Sequence, residues 1–153
     1  MHKKQYYNPH IRNASQYLIS KQNKEGYWES RWYYGAYYGT YVCMRILLVL
    51  NEYASVSRAL KYIIATQNTD GGFSEGTQSD PLSTALAVLC IKLCERIENE
   101  HDLATVLKKA SSYLLNRQKM DGSWDAIDFI RPKVYEPYKS KTLTTAYVLK
   151  ALS

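Results

Sequence analysis

The stretch Ala59-Leu60-Lys61-Tyr62-Ile63-Ile64-Ala65-Thr66-Gln67-Asn68-Thr69-Asp70-Gly71-Gly72-Phe73 decides the fold, because the chain contains its pattern twice more. One copy carries Ala14, Tyr17, Gln22, Gly26 and Trp28, and the other Ala110, Tyr113, Gln118, Gly122 and Trp124. In each, a glutamine has Ala at −8 and Tyr at −5, then Gly at +4 and an aromatic at +6. The Ala, the Tyr and the apolar residue at −4 follow helical spacing, so each copy predicts a helix ending near its glutamine, with the glycine as a permissive stop. Beyond each aromatic, a loop leads to a second apolar run, at 39–50, 84–93 and 144–152. These runs predict second helices opened by Thr40, by Ser83 with Thr84, and by Thr142 with Thr144 and Thr145. The expected fold is all-α, with three helical hairpins. The glutamines are 45 and 51 residues apart, a period at which hairpins stack into a curved array.

Composition narrows the class. At 153 residues and 46% hydrophobic, the chain has the material for one domain, expected over 11–153 after an N-terminal extension at 1–10. A net charge of +6 on an ordinary 22% charged fraction argues for a folded protein rather than a disordered one. Fifteen Tyr stand against 3 Trp and 2 Phe, which points to a special use of tyrosine. No apolar run approaches the roughly 20 residues that cross a bilayer. The opening Met1-His2-Lys3-Lys4-Gln5-Tyr6-Tyr7 is not followed by an apolar segment of the secretory type, so a cytoplasmic location is expected. Cys43, Cys90 and Cys94 lie in apolar runs without C-x-x-C spacing and read as buried, reduced thiols.

The Gln-x5-aromatic pattern with its internal glycine resembles the QW motif of squalene-hopene and oxidosqualene cyclases and of related α/α-barrel proteins. The segment Glu29-Ser30-Arg31-Trp32-Tyr33-Tyr34-Gly35-Ala36-Tyr37-Tyr38-Gly39-Thr40 is similar to the Arg-Trp-x5-Tyr-Gly-Thr segment near the C-terminal end of squalene-hopene cyclases, matching at Arg31, Trp32, Tyr38, Gly39 and Thr40. The resemblance covers about 11–153. It implies part of a toroid of inner and outer helices, here half of a six-hairpin barrel, around an apolar cavity where an isoprenoid or related polyene is folded and cyclised. Aromatic faces suit that chemistry because a π cloud stabilises a passing cation without trapping it as a nucleophile would. By the match, Trp32, Tyr33, Tyr34, Tyr37, Tyr38 and Tyr41 are the candidate substrate-binding residues. Tyr37, Tyr38 and Tyr41 also fall on helical spacing, so packing between helices is an equally physical use for them.

Two departures from the family pattern matter. The family's protonating acid is the middle carboxyl of Asp-x-Asp-Asp-Thr-Ala, and the nearest segment here is Asp80-Pro81-Leu82-Ser83-Thr84-Ala85. Asp80 keeps the first acidic place, while Leu82 and Ser83 fill the other two. Asp80 before a proline also reads as a helix cap. Other candidate acids lie in the long loop after Trp124, which contains Asp125, Asp128, Tyr135, Glu136 and Tyr138. Asp128 and Glu136 are the candidates there, since an apolar surrounding raises a carboxyl's pKa toward general-acid use; pairing with Arg131, Lys133, Lys139 or Lys141 is the plainer alternative.

The second departure is size: three hairpins leave the flanks of a half barrel open, so a homodimer or a second chain completing the barrel is expected. The expected ligand is an apolar, isoprenoid-like small molecule, with no cofactor. The zinc pattern of the related prenyltransferases is missing, because Cys43 has Tyr41 rather than Asp two places before it, and His2, His10 and His101 lie away from inner-helix starts. Aspartate-rich magnesium motifs are also missing, so no metal is expected. Lys and Arg are spread along the chain rather than clustered, which argues against nucleic acid and fits peripheral contact with an anionic membrane. Two functional readings stay open: a terpene-cyclase-like protein, and a noncatalytic half barrel that holds a lipid or scaffolds a partner.

Overall fold

Six helices and one short ribbon build the computed structural model, which describes residues 8–95, 100–132 and 136–153, the side chains of 100–102 excepted. Residues 1–7 of the expected extension, with Lys133, Tyr135 and the His101 side chain, lie outside the described residues. In chain order the helices are α1 (Asn8–Ser20), α2 (Tyr37–Val49), α3 (Tyr53–Ala65), α4 (Pro81–Cys94), α5 (Glu100–Leu115) and α6 (Lys141–Leu152). Strands β1 (Asp128–Ile130) and β2 (Tyr138–Lys139) fall between α5 and α6. The mostly helical fold is the expected one. Each first helix stops two or three residues before its glutamine, and each second helix follows its aromatic after a loop.

Helix α4 is the centre of the packing and touches α2, α3, α5 and α6. Twelve of its 14 residues are buried, so it is apolar all round rather than amphipathic, as a helix enclosed by neighbours must be. Val88, Cys90 and Ile91 are wholly enclosed, and each fully buried Val or Ile side chain contributes roughly 1.5–3 kcal/mol. Ala85 and Ala87 are equally enclosed, and a larger side chain at either would overpack the helix junctions. Helix α3 packs on both α2 and α4, which locks the first repeat to the second.

The second helices begin one to four residues ahead of the threonines expected to open them. The capping falls instead to Asp80, which accepts from the Ser83 N–H at 2.7 Å, and to Ser140, which accepts from the Leu143 N–H at 3.2 Å. Pro81 occupies the first turn of α4, where its missing N–H costs nothing. Thr40, Thr84 and Thr145 lie inside the helices and serve another purpose. Their hydroxyls accept the backbone N–H of Trp28, Phe73 and Trp124, at 3.0, 2.9 and 3.2 Å. Each threonine thereby ties the aromatic of its turn to the inner helix that follows.

The stretch expected as a long loop after Trp124 contains the β1–β2 ribbon, antiparallel with Asp128 opposite Lys139. Phe129 points inward between half-buried neighbours, the alternation of a half-buried strand. The ribbon also pairs with the first repeat: Tyr34 N–H donates to Phe129 O and Arg131 N–H to Trp32 O, both at 2.9 Å. The third repeat is thus stitched to the Arg-Trp segment. Of the cysteines, Cys90 and Cys94 are buried and Cys43 is half-buried, all free of disulfides.

Candidate functional site

The repeated turns share one geometry. Gln22 Nε2 donates to Gly26 O at 2.6 Å and to Ser55 O of α3 at 2.8 Å. Gln67 Nε2 donates to Gly71 O and to Val106 O of α5, both at 2.9 Å. Gln22 and Gln67 each close their own turn and grip the next outer helix, and Gln118 closes its turn through Gly122 O at 3.0 Å. The glycines are required by the same junctions. Gly26 has φ +112°, and a Cβ there would lie 2.5 Å from Arg58 O; Gly71 has φ +85°, and a Cβ would lie 2.8 Å from Lys109 O. Trp28 and Trp124 donate their indole N–H groups to Leu18 O and Leu114 O, at 2.7 Å in both cases. Phe73 has no such group and is simply enclosed.

The candidate tyrosines divide. Tyr33 and Tyr38 belong to an aromatic cluster: their rings are 4.3 Å apart, and Phe129 lies 4.8 Å from Tyr33 and 5.0 Å from Tyr38. Tyr147 of α6 completes it, 6.3 Å from Phe129. Tyr37 is buried, with its hydroxyl 3.2 Å from Thr66 Oγ1, and desolvation raises its pKa. Tyr41 is buried and accepts from Lys150 Nζ at 2.8 Å, while Arg45 lies over its ring at 5.5 Å. Tyr34 is half-buried under the Arg131 guanidinium, 4.5 Å away. Trp32 is 60% exposed and outside the cluster.

The acids divide as well. A cavity of about 130 Å³ at the N-terminal ends of α2 and α4 is lined by Tyr34, Tyr37, Glu75, Asp80, Leu82 and Asp128, among others. It brings together two of the three candidate acids. Asp80 is held as the α4 cap, and desolvation raises its pKa against the opposing hydrogen bonds from Ser83. Leu82, in the place of the family's protonating acid, is buried against this cavity. Glu136 is exposed and does not line it. A larger cleft of about 680 Å³ opens beside it between Tyr27, Arg31, Tyr62, Glu75 and Arg131, and its charged lining suits water more than hydrocarbon.

Three residues of this site escaped the sequence reading. Glu75 accepts the N–H groups of Ala36 at 2.5 Å and Tyr37 at 3.3 Å, capping α2, whose preceding residue offers no side-chain cap. Gly35, at φ +71°, leaves the room: a Cβ there would lie 1.9 Å from the Glu75 carboxyl carbon. Glu75 is exposed as a residue, and desolvation of its carboxyl raises its pKa against those two donors. Phe129 and Tyr147 were the other omissions. The apolar alternation at Ile127, Phe129 and the neighbouring Ile130 was the available signal for Phe129; for Tyr147 there was none beyond helical phase. No group of three or more His, Cys, Asp or Glu that could hold a metal occurs among the described residues. No helix among them is long and apolar enough to cross a membrane.

Stacked helical hairpins joined by glutamine-aromatic turns, with aromatic rings gathered against the inner helices, define the terpene-cyclase type of α/α repeat. The family model for the squalene-hopene cyclase C-terminal domain matches residues 1–135, and the chain belongs to that family. It is 31% identical over 160 residues to drimenyl diphosphate synthase of Streptomyces showdoensis, covering 94% of this chain and 28% of that protein. A squalene–hopene cyclase of Zymomonas mobilis is 25% identical over 132 residues, covering 76% of this chain and 19% of its own. The chain therefore spans about a quarter of the length of such relatives. Among solved structures, ent-copalyl diphosphate synthase from Streptomyces platensis superposes with TM-score 0.81 at 24% identity, covering 96% of this chain and 28% of that one. An arginine-to-alanine variant of the type II terpene cyclase MstE from Scytonema, in complex with its substrate geranylgeranyl dihydroxybenzoate, gives TM-score 0.80 at 19% identity, covering 94% of this chain and 50% of that one.

Proposed function

We propose that this chain supplies one wall of an isoprenoid-binding cavity in a terpene cyclase, and that the wall stabilises carbocations while the proton comes from hairpins outside the chain. The observation that carries this reading is the cluster of Tyr33, Tyr38, Phe129 and Tyr147, drawn from both ends of the chain and built against inner helices. Ring faces at this spacing offer a cation about 0.5–2 kcal/mol each without reacting with it. Leu82 supports an outside acid, since a buried leucine cannot protonate an alkene. The size of the cavity beside Asp80 and Asp128 supports an outside wall too, because about 130 Å³ is below the roughly 300–1,000 Å³ of ordinary ligand pockets. On this reading the protein works in the cytoplasm, drawn to anionic membranes by its net charge of +6.

The test is a titration with a C20 polyprenyl diphosphate followed by tyrosine and tryptophan fluorescence, with organic extracts analysed for cyclised product. Saturable binding that Phe129→Ala weakens at least tenfold is the expected result; no binding by the assembled protein overturns it. The missing acid favours a second reading, a noncatalytic half barrel that holds a lipid. Binding with no product in any assembly state would select it.

A further inference from the structure

We propose that Arg31 and Arg131 hold a diphosphate head in the cleft of about 680 Å³, so that the molecule lying on this wall is an isoprenoid diphosphate rather than a neutral polyene. The inference rests on the isoprenoid-binding reading and deepens it by naming the head.

The cleft is assembled from all three repeats. Tyr27, Arg31 and Tyr33 come from the segment between α1 and α2, Tyr62 from α3, Glu75 from the loop before α4, and Arg131 from the end of the ribbon. Its volume falls within the roughly 300–1,000 Å³ of ligand pockets. Tyr27 stacked on Tyr62, with ring centroids 4.7 Å apart, forms one wall. Backbone pairing brings the two arginines to the same place: Tyr33 bridges Ile130, and the Arg131 N–H donates to Trp32 O, the residue next to Arg31.

The charges in the cleft are unequally engaged. Glu75 is committed to the Ala36 and Tyr37 N–H groups, and Glu29 accepts from the Tyr27 hydroxyl at 3.4 Å. Arg131 uses only its face, with the guanidinium carbon 4.5 Å from the Tyr34 ring centroid, which leaves the edge that carries its N–H donors open. Among the described residues neither arginine enters an ion pair; the pairs there are Lys119 with Asp125 and Lys141 with Asp121. Two open guanidinium forks on one cleft call for an acceptor richer in oxygen than a carboxylate, whose two oxygens a single fork fills. A diphosphate has oxygens for both.

The cleft also adjoins the aromatic cluster. Tyr33 lines it, and the Tyr33 ring lies 4.3 Å from that of Tyr38 and 4.8 Å from that of Phe129. A head held by the arginines therefore puts the first carbons of an attached chain at Tyr33, and the tail runs on over Tyr38 and Phe129. A free anion would use the charged half of this arrangement and none of the rings; a neutral polyene would use the rings and leave both guanidinium groups without an acceptor.

The experiment is calorimetric titration with three ligands: inorganic diphosphate, a C20 polyprenyl diphosphate and the matching uncharged C20 alcohol. Inorganic diphosphate is titrated into the chain itself, since every part of the cleft lies in it, and the two C20 ligands into the assembled protein. Wild type is compared with Arg31→Gln, Arg131→Gln and Lys108→Gln. Lys108 is an exposed α5 residue outside the cleft, so its substitution removes the same unit of charge from elsewhere. The polyprenyl diphosphate is expected to bind wild type at least about tenfold tighter than the alcohol, the scale of one hydrogen bond to a charged group. Each arginine variant should lose that advantage and still bind the alcohol as wild type does, which serves as its folding control. Lys108→Gln should change the ratio by less than about twofold, as expected for a distant charge screened by salt.

Equal affinity for the diphosphate and the alcohol would overturn the head site and leave the isoprenoid wall standing. An advantage that Lys108→Gln removes as fully as the arginine variants would overturn it as well, by assigning the effect to the net charge of +6. Inorganic diphosphate bound through the arginines, with neither C20 ligand bound, would make a free anion the occupant and overturn this inference together with the isoprenoid reading. No binding of any of the three would do the same.

Discussion

Glu75 accepts the Ala36 N–H at 2.5 Å across 39 residues of sequence, so the start of α2 is capped from the loop of the following repeat. The orphan N–H groups of a helix start need an acceptor, and α2 has none of its own. Truncation by Glu75→Ala is expected to cost about 1 kcal/mol in urea unfolding. The pH dependence adds a signed test. The folded pKa of Glu75 lies above its ordinary 4.5, so the native state holds the proton longer than the unfolded chain. Stability from this group is therefore greatest below the unfolded pKa and declines as pH rises through the folded one. The stability of wild type relative to Glu75→Gln should fall with rising pH over that window; a relative gain would show the sign to be wrong.

Gly71 tests the joint between repeats two and three. Alanine there must adopt φ +85° and bring its Cβ to 2.8 Å from Lys109 O, a backbone atom that cannot swing aside. Strain alone is of order 1–2 kcal/mol. With the clash added, Gly71→Ala should destabilise by more than about 2 kcal/mol, whereas Gly76→Ala, with open space around it, should be within about 0.5 kcal/mol. Thermal melts of the two variants decide this.

Phe129 separates packing from π chemistry. It is 7% exposed, so Phe129→Ala should cost about 3–5 kcal/mol as a core truncation. Phe129→Leu keeps most of the apolar volume without a ring face. In the assembled protein it should retain polyprene binding within a few fold while product formation falls at least tenfold. Equal loss of both would assign the cluster to packing alone.

Surface charge predicts salt-sensitive membrane contact. With a net charge of +6, the chain should sediment with vesicles containing anionic lipid at low ionic strength, and should be released as salt shortens the screening length to a few Å near 1 M. Failure to sediment at low salt would remove the membrane from the account.

Much of the fold was legible because one pattern occurs three times and both of its physical roles are local. Ala59 and Tyr62 share a helical face, and Gly71 answers Gln67 four residues earlier. The start of α4 was less legible: Asp80 was readable as a cap, while Thr84 looked like one and instead holds the Phe73 N–H. The site was legible only in part, since its pairings cross repeats. Nothing near Ala36 points to Glu75, and nothing near Tyr33 points to Phe129, because strand pairing at Tyr34 and Arg131 brings them together. Tyr37 and Tyr41 looked like the rest of the tyrosine run, and only helical phase sends them into the core.

The most direct test of an isoprenoid-binding wall is native mass spectrometry of the chain purified from its own host, which weighs assembly and bound lipid together. The account predicts an assembly larger than 17.7 kDa carrying an adduct of polyprene mass. A ligand-free species at 17.7 kDa, unchanged after polyprenyl diphosphate is added, would contradict it.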